Sequence, residues 1–201
     1  MRELKRKINN QIVPLVLASE SEGRKLILES LNFKFSIDCS DIVEESYSAS
    51  NAEELVTLLA MEKAQTAAKK YTDALVIGAD TVICYQGEII GKPASKVEAE
   101  KILLKLSGNT HQVITGLAII DVAQNKTVQV IAISYVTFFS ITLAEIQEYV
   151  ATGEPMGKSG AYASQGLAAK FIKNISGDIT NVIGLPKDAL LTLFDELGFC
   201  F

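Results

Sequence analysis

The chain has 201 residues, of which 48% are hydrophobic and 21% are charged, so it is long enough to bury a core without disulfides or a structural metal. Its 19 basic and 24 acidic residues leave a net charge of -5, which argues against broad binding of nucleic acid or of a membrane surface. The three cysteines, Cys39, Cys84 and Cys200, contain no C-x-x-C pair, so we expect buried thiols and a reducing, cytoplasmic compartment.

Strands and helices alternate along the chain, after an N-terminal stretch that is expected to form a ragged tail. Apolar runs and period-two alternation predict strands near 12–18, 33–39, 74–84, 88–91, 111–122 and 127–139. Capping residues, a first-turn proline and terminal glycines predict helices near 22–31, 51–70, 96–106, 143–152 and 186–198. This order is typical of an α/β fold, and no linker divides it, so we expect a single domain over 1–201 with an N-terminal extension at 1–11.

Three of the predicted helices begin at a pair of residues with the spacing of a capping box. The pairs are Ser50 with Glu53, Ser95 with Glu98 and Thr142 with Glu145. A long uncharged run at 127–144 meets the length of a membrane span, but its interspersed serines and threonines favour a strand followed by a helix cap. No membrane segment is therefore expected.

A polar cluster, "ASESEGRK", lies between the first predicted strand and the first predicted helix. Ser19, Ser21 and the backbone N–H groups of a helix N-terminus could bind an anion, and Arg24 or Lys25 would add positive charge. Serines before a helix are also ordinary capping residues. Spacing alone leaves both interpretations open.

A second cluster, "DIVEESYS", places Asp41, Glu44 and Glu45 in one short acidic loop. A solvated turn is the default interpretation of such a loop, because runs of charge usually face water. Lys63 lies on a long, alanine-rich predicted helix and, taken alone, is most simply a surface lysine. Neither feature assigns a function by itself.

The stretch "VIGADTVICYQGEIIGKP" places Asp80 inside a buried-looking apolar strand, where a lone carboxylate is costly to desolvate. Lys92 follows a tight predicted hairpin that could fold its side chain back beside this carboxylate. The pair could be a structural ion pair. An acidic loop, an aspartate, several basic residues and an anion-binding helix start are also the groups that phosphate-ester hydrolysis needs, with carboxylates holding a divalent cation.

Motifs along most of the chain, quoted as they stand here, are "LVLASESEGRKLIL", "LAMEKA", "GADTVICYQGEIIGKP" and "GEPMGKSGAYASQG" followed by "NVIGLP". Their order resembles the Maf family of nucleoside triphosphate pyrophosphatases, first linked to septum formation. The resemblance implies a mixed α/β fold with an extended mixed sheet, flanking helices and two lobes around a central cleft. That architecture is similar to the inosine triphosphate pyrophosphatases, and members are often homodimers.

The resemblance implies roles for individual residues. Asp80, in "GADT", matches the family's proton acceptor, and Glu45 matches the acidic residue after the second strand; both would also hold the metal. Lys63, in "EKA", and Lys92, in "GKP", match catalytic lysines that grip phosphates. Gln165, in "QG", matches a substrate-binding glutamine.

The first motif departs from the family pattern, which usually reads S-x-S-P-R-R. Ser19, Ser21 and Arg24 match substrate-binding positions, but Gly23 stands where the first arginine belongs. In the family this position determines specificity, with arginine in members acting on dTTP and UTP and tryptophan in members that prefer 7-methyl-GTP. Gly23 matches neither group.

Two further specificity positions, Thr81 and Gln165, match the dTTP/UTP group. Later in the chain, Gly157 replaces the family's usual aspartate, which is expected to loosen that loop. The balance of these positions favours pyrimidine triphosphates.

The activity implied is attack of water at the α-phosphate of a nucleoside triphosphate, which gives a monophosphate and pyrophosphate with a divalent cation (Mg, Mn or Co) as cofactor. House-cleaning of non-standard nucleotides would suit such an enzyme. Two alternatives stay open: hydrolysis of modified or deaminated purine triphosphates, and a nucleotide-binding regulator of cell division with little turnover. No nucleic acid or membrane partner is expected. The chain is expected to form a homodimer.

Overall fold

The computed structural model describes residues 2–7, 10–39 and 42–201, without the side chain of Glu45. The described strands are β1 (Leu4–Arg6), β2 (Ile12–Val13), β3 (Leu15–Leu17), β4 (Ser36–Ile37), β5 (Leu75–Tyr85), β6 (Glu88–Ile90), β7 (Thr110–Asp121), β8 (Lys126–Phe138), β9 (Ile172–Ser176) and β10 (Phe199–Cys200). The described α-helices are α1 (Glu22–Ser30), α2 (Ala52–Ala68), α3 (Lys96–Leu106), α4 (Leu143–Ala151), α5 (Ile179–Ile183) and α6 (Lys187–Glu196). Single turns of 3-10 helix lie at Glu44–Ser46, Ser159–Ala161 and Leu167–Phe171.

Seven of the described strands form one mixed sheet, in the order β4-β3-β5-β7-β8-β9 with β6 paired to β5. β3 is parallel to both neighbours, and Leu15–Leu17 lie opposite Leu75–Ile77 of β5. β6 and β9 are antiparallel to their partners. The start of β5 is fully buried, which is why it reads as a continuous apolar run rather than an alternating one. The predicted mixed α/β fold with flanking helices is confirmed.

The chain divides into two compact units. Unit 1 comprises Met1–Asp80, Thr115–Ala132 and Gly184–Phe201, and unit 2 comprises Thr81–Ile114 and Ile133–Ile183. Strands β5, β7 and β8 therefore contribute residues to both units. The single domain and the central cleft stay predictions.

In unit 1, helix α2 lies directly against β5 and β7 because two strand glycines leave room for its backbone. A Cβ at Gly78 would lie 2.1 Å from the carbonyl oxygen of Ala60, and a Cβ at Gly116 would lie 2.3 Å from that of Val56. Both contacts are too short for any side chain, so glycine is required at each strand position. Lys63 lies on the same face of α2 as Ala60, and Asp80 lies on the same face of β5 as Gly78.

In unit 2, the core is built around an aromatic cluster. The rings of Tyr149, on α4, and Phe171 pack edge to face with centroids 5.3 Å apart. Phe138, at the end of β8, packs edge to face on Tyr162 at 4.9 Å. All four rings are at most 6% exposed, so the 3-10 helix that ends at Phe171 is anchored to α4 and to the sheet.

The start of α4 confirms one capping box, and the start of α2 corrects another. Thr142 and Glu145 make both reciprocal bonds of the box at α4. At α2 the prediction was wrong by one residue: Asn51, not Ser50, is the N-cap, and its side chain accepts from the backbone N–H of Glu54 at 2.8 Å. Asparagine and serine are equally good caps, so spacing alone could not choose between adjacent candidates.

The uncharged run at 127–144 divides between β8 and the start of α4, as predicted. Among the described residues, no helix combines the length and the apolar composition that a membrane crossing requires.

The expectation of a ragged N-terminal tail is wrong. β1 pairs antiparallel with β2 and with β10, so the extension forms the middle of a three-stranded sheet. A strand of three residues is too short to show periodicity in the sequence. Arg6, at its end, is 5% exposed and donates Nη2 hydrogen bonds to Asp121 at 2.8 Å and to Asp73 at 3.2 Å. The bond to Asp121 raises the pKa of Arg6.

We expect Arg6→Met to lower the free energy of unfolding by about 3–5 kcal/mol, because it leaves the fully buried Asp121 carboxylate without its cation. Lys7→Met is the matched control, since Lys7 pairs with Asp195 on the surface and should contribute about 1 kcal/mol or less. Urea unfolding of the wild-type protein and the two variants measures both losses in the free energy of unfolding. Equal midpoints for the two variants would show that the buried pair does not hold the extension in place.

Candidate active site

The centre of the candidate site is the ammonium of Lys63, which lies between two carboxylates of unit 1. Its Nζ donates to Oδ1 of Asp80 at 2.6 Å and lies 2.7 Å from Oε1 of Glu44. Lys63 and Asp80 are each only 7% exposed. The carboxylate in the apolar strand is therefore compensated by a buried lysine on α2. The pairing of Asp80 with Lys92 suggested by the hairpin stays a prediction.

Arg24, on α1, adds a second buried cation to unit 1. Its Nε donates to the carbonyl of Gly184 at 2.9 Å, and its Nη1 donates to Oγ of Ser19 at 2.8 Å. Burial lowers the pKa of Arg24, while the negative charges of Asp80 and Glu44 act to raise it. Two cations and two carboxylates thus interact within unit 1, and the guanidinium is held in a fixed orientation.

The start of α1 does not show the side-chain capping that was one interpretation of its serines, and anion binding there stays a prediction. Ser21 is the N-cap residue with an extended backbone, but its side chain makes no capping hydrogen bond to α1. Its backbone N–H instead donates to Oγ of Ser19 at 3.3 Å. Backbone N–H groups at a helix N-terminus carry partial positive charge and suit a phosphate oxygen.

Gly23 lies inside α1, directly after its first residue Glu22, and is buried. A residue within α1 has helical backbone, so Gly23 does not supply a positive-φ turn before the helix. Substitution at Gly23 therefore meets no conformational barrier of the backbone.

Glu44 is a site residue that the sequence did not single out. It begins the 3-10 helix Glu44–Ser46 and contacts Lys63, whereas the resemblance assigned its neighbour Glu45. The side chain of Glu45, and all of Asp41, lie outside the described residues. The acidic loop was the sequence signal for this site. Three carboxylates in one irregular loop show no periodicity, so the sequence could not indicate which of them contacts Lys63.

Two predicted site residues of unit 2, Thr81 and Lys92, lie on segments that both bind the 3-10 helix Ser159–Ala161. The carbonyl of Thr81 accepts from Oγ of Ser159 at 3.2 Å. Next to the exposed Lys92, the carbonyl of Gly91 accepts from the backbone N–H of Gly160 at 3.0 Å. The 3-10 helix Ser159–Ala161 therefore fixes both segments within unit 2.

Gln165, the third predicted residue of unit 2, is exposed in the turn before the 3-10 helix Leu167–Phe171. Gly157, earlier in the same motif, has a left-handed backbone with φ +74°, and no atom lies within 4 Å of an added Cβ. The space would admit the family's aspartate. The predicted loosening of this loop stays a prediction.

Asp80 and Glu44 are carboxylates, the ligand type that a divalent cation prefers, and one oxygen of each contacts the ammonium of Lys63. Mg²⁺ sites commonly use one or two carboxylates and complete their shell with water and substrate phosphates. Among the described residues no group of three or more histidine, cysteine, aspartate or glutamate side chains forms a metal cage. A cation shared with a phosphate substrate suits this pair better than a closed protein site.

A solved structure of another protein shares the fold class of this chain. A HAM1 protein from Coxiella burnetii superposes with a TM-score of 0.50 at 16% identity, over 92% of this chain and 98% of that one. At this identity the likeness concerns the fold alone.

Curated relatives are far more similar in sequence. A dTTP/UTP pyrophosphatase from Geobacillus sp. (strain WCH70) is 45% identical over 185 residues, which covers 92% of this chain and 98% of the relative. A dTTP/UTP pyrophosphatase from Halalkalibacterium halodurans is 41% identical over 186 residues, covering 92% and 97%. The model of the Maf-like protein family matches residues 14–197. The motifs, the fold and these matches agree, and the chain belongs to the Maf family.

Proposed function

We propose that this protein hydrolyses nucleoside triphosphates to the monophosphate and pyrophosphate, with a preference for dTTP and UTP. The observation that carries the proposal is the buried Lys63 held between Asp80 and Glu44, beside the buried Arg24. These groups match the needs of phosphate-anhydride hydrolysis. The dTTP/UTP pyrophosphatases that share more than 40% of its sequence support the substrate class.

Asp80 is the proposed proton acceptor. Water attacks the α-phosphorus, the bond from that phosphorus to the bridging oxygen breaks, and pyrophosphate leaves. The proton of the attacking water passes to the Asp80 carboxylate. Lys63 orients this carboxylate through its hydrogen bond to Oδ1, so the basic oxygen is fixed before substrate binds.

The phosphates need positive groups and hydrogen-bond donors. Lys63 and Arg24 would neutralise non-bridging oxygens, and Ser19, Ser21 and the N–H groups at the start of α1 would bind an adjacent phosphate. The resemblance assigns the same kind of role to Lys92 in unit 2. Cations placed where charge develops are the main contribution of the protein in phosphoryl transfer.

Asp80 and Glu44 would hold the divalent cation, and Glu45 keeps the role that the resemblance gives it. Mg²⁺, Mn²⁺ or Co²⁺ would neutralise charge on the phosphate oxygens when bound. The protein residues would position that cation and bind the remaining oxygens of the substrate.

Gly23, Thr81 and Gln165 are the proposed specificity residues. We also propose that the protein forms a homodimer and is located in the cytoplasm. The free thiols Cys39 and Cys84 would stay reduced there. Pyrophosphate release from dTTP, UTP, CTP, GTP and ITP, with and without Mn²⁺, tests the function directly. A ranking led by ITP would favour modified or deaminated purines, and binding without release would favour a regulator.

We expect Asp80→Asn to lower kcat by about 10²- to 10⁴-fold, because the amide keeps the shape of the carboxylate and loses its basicity. Asp195→Asn is the control, since Asp195 also pairs with a lysine but lies on the surface. Pyrophosphate release per folded molecule is the measurement. Near wild-type turnover in Asp80→Asn would remove this residue from the mechanism.

Glu44→Gln and Glu45→Gln form a matched pair of adjacent changes. Glu44 contacts Lys63, so we expect Glu44→Gln to raise the Mn²⁺ concentration for half-maximal activity by about 10-fold or more, the usual scale for groups that support a metal site. Titration of both variants with Mn²⁺ compares them. A larger effect from Glu45→Gln would return the role to the residue that the resemblance assigned.

Gly23→Arg should sharpen the preference for dTTP and UTP by about 1–3 kcal/mol, if one charge-assisted hydrogen bond forms to the bound substrate. Gly23→Ala is the control for backbone freedom and should leave the ranking of substrates unchanged. The kcat/KM values for the five triphosphates, with melting temperatures alongside, separate the two effects. An unchanged ranking in a stable Gly23→Arg protein would exclude this position from the specificity site.

A further inference from the structure

Glu154, in unit 2, lies after α4 and connects that helix to the segment that carries Gln165. Its Oε1 accepts from the hydroxyl of Tyr149 at 3.0 Å and from the backbone N–H of Ala168 at 3.3 Å. Its Oε2 accepts from the backbone N–H of Leu167 at 2.9 Å. One carboxylate thus binds the first two N–H groups of the 3-10 helix Leu167–Phe171, where a negative charge is most favourable.

Gly166 shows how close this contact is. A Cβ at Gly166 would lie 2.5 Å from Oε1 of Glu154, so the carboxylate packs against the backbone at that residue. A side chain at this position would displace the carboxylate, which is the end of a flexible side chain, so the cost would fall on the hydrogen bonds of Glu154 rather than on the backbone.

The other end of the contact is rigid. Tyr149 is 1% exposed, and its ring packs on Phe171, which ends the same 3-10 helix. Burial raises the pKa of Tyr149, and the bond to Glu154 adds to the effect, so the phenol stays a donor at every physiological pH. Glu154 therefore transmits the position of the unit 2 core to the turn at Gly166.

Gln165 directly precedes this anchored glycine and is itself exposed. An exposed glutamine on a turn has many conformations, and a residue that discriminates between bases must be held in one of them. The nearest fixed points of its backbone are Gly166, whose N–H donates to the carbonyl of Ala163 at 3.1 Å, and Leu167, which Glu154 binds.

We propose that Glu154 is a positioning residue for substrate specificity: it fixes the backbone on which Gln165 reads the base of the nucleotide. This inference rests on the proposed function, and on the specificity role of Gln165 within it. Glu154 acts through Gln165 rather than on the reacting atoms. Loss of the Glu154 carboxylate should therefore change the choice between substrates more than the rate with the best one.

The test compares selectivity, expressed as kcat/KM for dTTP divided by kcat/KM for CTP and for GTP, in the presence of Mn²⁺. We expect Glu154→Gln to lower these ratios about as much as Gln165→Ala does. The double variant should lower them no further, because two residues that act as one unit are not additive. Gly166→Ala keeps the carboxylate but displaces it, and should have the same effect.

Glu145→Gln is the matched control. Glu145 also binds a backbone N–H in unit 2, as part of the capping box of α4. Its loss should lower the melting temperature and leave the ratios unchanged, which is the result that a purely structural role for Glu154 would also give.

The outcomes distinguish failure of the proposed function from failure of the positioning role of Glu154. A wild-type protein that releases no pyrophosphate from any triphosphate contradicts the proposed function. An active protein in which Gln165→Ala alters the ratios, while Glu154→Gln and Gly166→Ala do not, contradicts the positioning role alone. Unchanged ratios in Gln165→Ala remove the specificity role of that residue and this inference with it. All values are taken per folded molecule, so partial unfolding of one variant does not imitate the effect.

Discussion

The lysine ammonium at the centre of the candidate site lies between two carboxylates, and its position depends on how closely α2 packs against the sheet. Lys63 bonds to Asp80 and Glu44, and its removal would leave the buried Asp80 carboxylate without its bonded cation in a low-dielectric environment. This contact is possible only because α2 lies directly against the sheet, where Gly78 and Gly116 admit its backbone. The two glycines thus determine where Lys63, Asp80 and Glu44 meet.

The charges of four site groups in unit 1 cancel. Lys63 and Arg24 offset Asp80 and Glu44, so these four groups add no net positive charge to attract a triphosphate. A substrate that carries several negative charges needs a further cation, which accounts physically for the divalent metal that the proposed chemistry requires. A structural ion pair would need one carboxylate for Lys63. The second carboxylate, on an irregular loop and partly exposed, is better suited to hold a ligand.

Long elements could be predicted from the sequence, as β5, β7, β8 and α3 show, and so could the short strand β6, which follows a tight predicted hairpin. β1 and β10 could not, because they have too few residues to show a period and are held by pairing and by the buried Arg6. The sequence also indicated Asp80 and Lys63 as separate features. Their contact depends on how closely a helix and a strand approach, whereas chain spacing suggested Lys92, a hairpin away. The contact between Glu44 and Lys63 is equally a matter of tertiary structure.

The residues proposed for hydrolysis and the residue proposed for substrate choice lie on different kinds of structure. Asp80, Lys63 and Arg24 lie on a strand and two helices, whose backbones are fixed by regular hydrogen bonds and packing. Gln165 lies on an exposed turn, whose backbone is held by the carboxylate of Glu154 and by the hydrogen bond from Gly166 to Ala163. Changes in such a turn can alter specificity without disturbing the buried charges. Under the proposed function, specificity can therefore diverge at this turn while the buried groups proposed for hydrolysis stay in place. The departure at Gly23 lies elsewhere, inside α1.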